Sequence, residues 1–177
     1  RYPISNKSDF NKNNECVFLY RNTVDRVISC FLNWCINNAK RIGIMELLSK
    51  IENFDYNLFC ELIENNDIIK SFTMFIPQIK YIMHDFHLVE QHEILYYYNE
   101  DKIKHFINID NKNDVIMLEK LINQNINKLN KSNDDSKNIL KKFILMKENK
   151  FFYDIICDTY KNDYIFFKKY NIDLHTL

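Results

Sequence analysis

Between positions 21 and 29 the chain places Arg21, Asn22, Asp25, Arg26 and Ser29, residue types that together can hold an oxyanion. Arg21 offers a permanently charged, two-pronged donor and Ser29 a hydroxyl. Asn22 has the chemistry of a helix N-cap, and Asp25 would then fall in the first turn, where a carboxylate suits the helix dipole. Free N–H groups at such a helix start face outward, so a phosphate placed there meets the positive helix end. Arg26 lies close enough in sequence to assist or to pair with a carboxylate. An arginine after a strand is by itself a weak signal, because most such side chains form surface ion pairs.

The second group is His84, His87 and His92, set among Asp85, Glu90 and Glu93. A spacing of three can present two imidazoles from one helix face, but a metal would need further ligands at defined geometry. These histidines read first as solvated or capping residues. As catalytic groups, His84 and His87 are the weak candidates, and no metal site is assigned.

The elements that would position these residues follow from periodicity. Cys16 to Tyr20 is a continuous apolar run, the pattern of a strand buried on both faces, central in a parallel sheet. Val24, Val27, Ile28, Phe31, Leu32, Cys35 and Ile36 recur at three and four, which predicts a helix over 24–37. Further helices are predicted at 45–51 and 56–64, a break at Pro77, a short buried strand at 94–98, and helices at 102–107 and 115–129. The polar stretch 130–138 predicts a mobile loop. A closing helix follows, with Phe152, Ile155, Ile156, Tyr160, Tyr164 and Phe167 on one face.

Composition limits the function classes. At 177 residues the chain can close one good core, and positions 1–177 read as a single domain, N-terminally incomplete because the sequence starts at Arg1. Lys plus Arg equal Asp plus Glu at 24 each, so no global field draws the chain to nucleic acid, and any anion site must be local. Lys141-Lys142 and Lys168-Lys169 are short basic pairs outside any nucleic-acid module. No apolar run approaches the roughly 20 residues of a membrane span, so the reading is of a soluble chain without a membrane segment. The cysteines 16, 30, 35, 60 and 157 form no CxxC pair and read as reduced and mostly buried. One glycine and two prolines are few for this length and favour helices.

The run from Phe18 to Phe31, FLYRNTVDRVISCF, resembles the sulfotransferase pattern of an apolar strand, Arg, Asp or Asn, Pro, and a Ser eight residues after the first Arg. The departure is Thr23 where the family has Pro at the first helical position, which loosens the turn. Fainter likenesses follow: Phe54, Leu58 and Phe59 with Pro77-Gln78 resemble an aromatic helix and a His-containing Pro-Gln element, with Met74 at the His position. Asn130-Lys131-Ser132 resembles a cofactor-proximal segment of carbohydrate-type members, and the stretch from Tyr160 to Phe167 a closing helix.

The resemblance implies an α/β fold of the P-loop sulfotransferase type, a short parallel sheet covered by helices with a helix-rich C-terminal half. It implies 3′-phosphoadenosine 5′-phosphosulfate as donor and a hydroxyl acceptor such as a carbohydrate. Arg21 and Ser29 would bind the 3′-phosphate, with Asn130, Lys131 and Ser132 nearby. The family's 5′-phosphosulfate loop has no counterpart in residues 1–15, where Asn6-Lys7-Ser8 follows no apolar strand and lacks glycine. Two alternatives stand beside this reading: a non-catalytic interaction module that kept the fold, and an unrelated helical protein. Acceptor, compartment and oligomeric state are not encoded in these motifs.

Overall fold

The computed structural model describes residues 16–37, 43–85, 88–95, 100–126 and 134–174. They divide into two compact units, one running through Arg21 and rejoined by the chain from Glu90, the other from Asn22 to Val89 and again from the described part of 128–177. The fold is mixed α/β, helix-rich, with a short parallel sheet.

The first unit holds the sheet. β1 (Cys16–Tyr20) pairs in parallel with β2 (Ile103–Asn108), Phe18 opposite Phe106 and Tyr20 opposite Asn108, after an irregularity between Cys16 and Val17. The rings of Phe18 and Phe106 meet edge to face at 5.8 Å. The strand at 16–20 is as predicted, but it is not central: among the described residues it has one neighbour, and Leu19 stands 49% exposed. The predicted helix at 102–107 is β2 instead. Ile103, Phe106 and Ile107 fall at a helix-like spacing of three and four, too short a pattern to outweigh pairing with a strand that lies far away in sequence.

In the second unit, α1 (Thr23–Cys30) continues without a break into a π-helical stretch, Phe31–Asn37, so the helix predicted over 24–37 is present with a widened second half. α2 (Ile44–Ser49), α3 (Tyr56–Glu64) and α4 (Ile68–Phe75) follow. Pro77 sits in a 3-10 turn between α4 and α5 (Ile79–Ile82), as its missing N–H requires. Phe31 packs its ring against Phe72 at 5.0 Å and Phe75 at 5.3 Å, all three fully buried, with Ile28, Leu48 and Phe59 around them. Gly43 opens α2 at φ +149°, a backbone conformation side chains disfavour.

Back in the first unit, α6 (Gln91–Leu95) takes up part of the strand predicted at 94–98, whose remainder lies outside the described residues. α7 (Lys112–Ile122) is capped by Asn111 and stops at Asn123, which adopts the left-handed conformation at φ 52°, seven residues short of the predicted end.

α8 (Asp134–Leu145) belongs to the second unit and overturns part of the predicted loop: residues 134–138 are its first turns. The local sequence is polar because this end of the helix faces solvent on one side, while Leu140 and Ile144 bury the other. The predicted closing helix is two, α9 (Lys150–Thr159) and α10 (Lys161–Lys168), joined at Tyr160. Tyr160 is fully buried and its hydroxyl donates to the carbonyl of Leu88 at 2.8 Å. Among the described residues no helix is long and apolar enough to cross a membrane.

Replacing Tyr160 with Phe leaves that carbonyl without its donor in a dry site and removes no packing volume of consequence. The expected cost is about 1–3 kcal/mol, seen as a lower urea midpoint at unchanged slope. A midpoint equal to wild type would show that the bond holds nothing.

Candidate functional site

The first unit ends on a main-chain clamp. The N–H of Arg21 donates to Gln91 Oε1 at 2.8 Å, and Gln91 Nε2 donates back to the Arg21 carbonyl at 2.9 Å. A single amide side chain thus does what a neighbouring strand residue would do. The Arg21 guanidinium is paired through Nε with Asp110 Oδ2 at 3.2 Å, and its side chain keeps 32% of its surface exposed. Asp110 is held in the turn after β2, its N–H donating to Asn108 Oδ1. Tyr20, one residue earlier, has its hydroxyl pushed to higher pKa by burial and by the charge of Asp114.

In the second unit Asn22 is the N-cap of α1, as expected. Its Oδ1 accepts from the N–H of Val24 at 2.9 Å, and its Nδ2 donates to the Leu174 carbonyl at 2.6 Å, tying the chain's C-terminal part to this helix start. Thr23, Asp25 and Ser29 are all buried. Asp25, expected in the first turn where a carboxylate suits the helix dipole, is there and is also the centre of an ion cluster: Lys137 Nζ lies 3.1 Å and Lys141 Nζ 2.7 Å from its Oδ1. Ser29 is 5% exposed, and its hydroxyl has no hydrogen-bond partner among the described residues.

The other candidates separate from this helix start. His84 is exposed in the turn after α5. His87, Asn130, Lys131 and Ser132 lie outside the described residues, as does the 130–133 part of the loop predicted at 130–138. Among the described residues no group of three or more His, Cys, Asp or Glu side chains is placed to hold a metal. All five cysteines are free thiols, and only Cys30 and Cys35 are buried. Burial pushes both upward in pKa, helped at Cys30 by Asp85 and at Cys35 by its neighbours Cys30 and Cys60, so neither is a nucleophile at neutral pH.

Gln91, Asp110, Lys137 and Lys141 were not legible as site residues. For the two lysines a signal existed: spaced by four, they share a face if 134–145 is helical. The polarity of 130–138 hid the helix and with it the spacing.

Behind the helix start, Cys157 Sγ lies 3.6 Å from the Tyr164 hydroxyl. Burial, and then the hydrogen bond to Cys157, push Tyr164 upward, and the same two causes push Tyr153 up to about 12. The fold favours the neutral phenols, so their contribution is whole below about pH 10, where a free tyrosine titrates. It is lost as pH rises through the folded value. Urea midpoints should hold level to about pH 10 and then fall toward about 12, with a smaller fall in Tyr153→Phe; equal falls in both proteins would remove Tyr153 from the account. Comparison with protein-family models, with curated proteins and with solved structures returns no match for this chain.

Proposed function

We propose that this chain is the 3′-phosphate-gripping part of a sulfotransferase that uses 3′-phosphoadenosine 5′-phosphosulfate and passes its sulfuryl group to an acceptor hydroxyl, a carbohydrate being the class the resemblance favours. In that reaction the acceptor oxygen bonds to sulfur as the bond from sulfur to the 5′-phosphate oxygen breaks, and the acceptor proton leaves to a base. Catalysis of this kind rests on positioning and on stabilising charge as it develops. The fold proposed is of the P-loop sulfotransferase type. Arg21 and Ser29 are the residues given to the 3′-phosphate, with Asn130, Lys131 and Ser132 as further cofactor contacts.

One observation carries the reading. The serine that the motif assigns to phosphate is buried on α1 with a hydroxyl that finds no partner among the described residues. Buried hydroxyls in folded proteins are nearly always satisfied, and one left open on a helix capped by Asn22 is what a phosphate ligand would complete. The strand, the turn at Arg21 and Asn22, and the helix follow one another along the chain in the order the motif requires.

Arg21→Ala should weaken 3′-phosphoadenosine 5′-phosphate by about ten-fold to more than a hundred-fold, since a charge-assisted contact contributes about 1.5–3 kcal/mol. Its half-open pair with Asp110 should contribute about 1 kcal/mol or less to folding. Ser29→Ala should act in the same direction by less. Affinity for adenosine 5′-phosphosulfate, which lacks the 3′-phosphate, should stay level in both. Calorimetry of the full chain with the two nucleotides decides: equal losses for both, or none for either, would mean these residues do not read a 3′-phosphate.

A further inference from the structure

We propose that the solvent face of α7, in the first unit, is a docking surface for the anionic face of a lipid bilayer, on which the helix lies without crossing. Residues four apart stand one above the other on a helix, so this face carries two adjoining stripes, Lys112, Ile116, Lys120 and Asn113, Met117, Leu121. All six are exposed, Ile116 and Met117 at 39% and Leu121 at 46%. Ile122, the last residue of the helix, is 44% exposed. The opposite face turns inward: Leu118 is buried, and α7 packs on β2.

Charge is sorted across the same helix. Its two acids are held by backbone donors: Asp114 Oδ2 accepts from the N–H of Asn108 at 2.9 Å, and Glu119 Oε1 from that of Ile126 at 2.9 Å. Neither acid is fully exposed, so every exposed ionisable group on α7 is a lysine. Lys112 and Lys120 stand two turns apart, roughly 12 Å along the axis, with Ile116 between them. A plane of lipid phosphates can accept from both ammoniums while the lysine stems lie along the apolar side chains beside them. Size points to the same occupant as sign. Four apolar side chains, none more than 46% exposed, offer less than the roughly 800 Å² that each partner of a stable protein interface buries. Shallow insertion of such side chains beside basic residues is how an interfacial helix holds to anionic lipid.

This docking surface does not rest on the sulfotransferase reading. The test is co-sedimentation of the full chain with vesicles of phosphatidylcholine alone and of phosphatidylcholine mixed with phosphatidylserine. Binding to the mixed vesicles only, falling as salt is raised, is the expected result. Lys112→Gln and Lys120→Gln should each weaken partition about five-fold. Met117→Ser combined with Leu121→Ser should weaken it as well, with circular dichroism unchanged because both side chains face solvent. If that double variant loses its helical signal, the two lysine variants decide alone. Binding to neither vesicle, equal binding to both, or partition unmoved by the lysine substitutions overturns the proposal. A dimer in sedimentation equilibrium that Leu121→Ser dissociates, with no vesicle binding, gives the face to a second copy and overturns it too.

Discussion

A carboxylate with 6% of its side chain exposed is costly to bury unless cations stand at contact distance, and in the second unit Asp25 imposes that demand on what packs near it. α8 answers it. Lys137 and Lys141 are spaced by four, as are Leu140 and Ile144, so a charged stripe and an apolar stripe run side by side along one helix. The first stripe satisfies Asp25 and the second enters the core that holds Phe31, Phe72 and Phe75. Register and rotation of α8 are thereby fixed together, because moving either stripe would strand the carboxylate or expose the leucine and isoleucine.

With one glycine available, the chain ends its helices by other means. Asn53, Asn66, Asn123 and Asn171 all take positive φ, the conformation asparagine tolerates better than other side chains. After α3 the N–H of Asp67 reaches the Leu62 carbonyl and that of Asn66 reaches Ile63, the paired bonds of a Schellman ending, and the same pattern closes α10 at Asn171 and Ile172. An asparagine-rich composition that dilutes functional signals is therefore put to structural use.

Much of the local structure was legible because it is written in nearest-neighbour periodicity. The strand at Cys16 to Tyr20, the helix beginning after Asn22, α2, α3 and the stop at Pro77 all follow from patterns a few residues long. What failed depends on distant partners. Ile103 to Ile107 is a strand because β1 lies beside it, although the spacing of Ile103, Phe106 and Ile107 within the segment suits a helix. Residues 134–138 are helical because α8 must bring lysines to a carboxylate more than a hundred positions earlier, a need that the polarity of the segment conceals. The capping role of Asn22 was readable from its place; the clamp by Gln91 was not, since an isolated glutamine carries no signal of what it will grip.

That clamp separates two properties usually bound together in one residue. Gln91 holds Arg21 only by its amide N–H and carbonyl, so it is blind to the side chain at that position. The end of β1 stays where it is whichever amino acid other than proline follows Tyr20, because proline alone lacks the N–H that the amide oxygen accepts. Charge at position 21 can thus be gained, lost or inverted over evolutionary time without removing the bonds that hold the strand terminus, so side chain and backbone are free to change separately here.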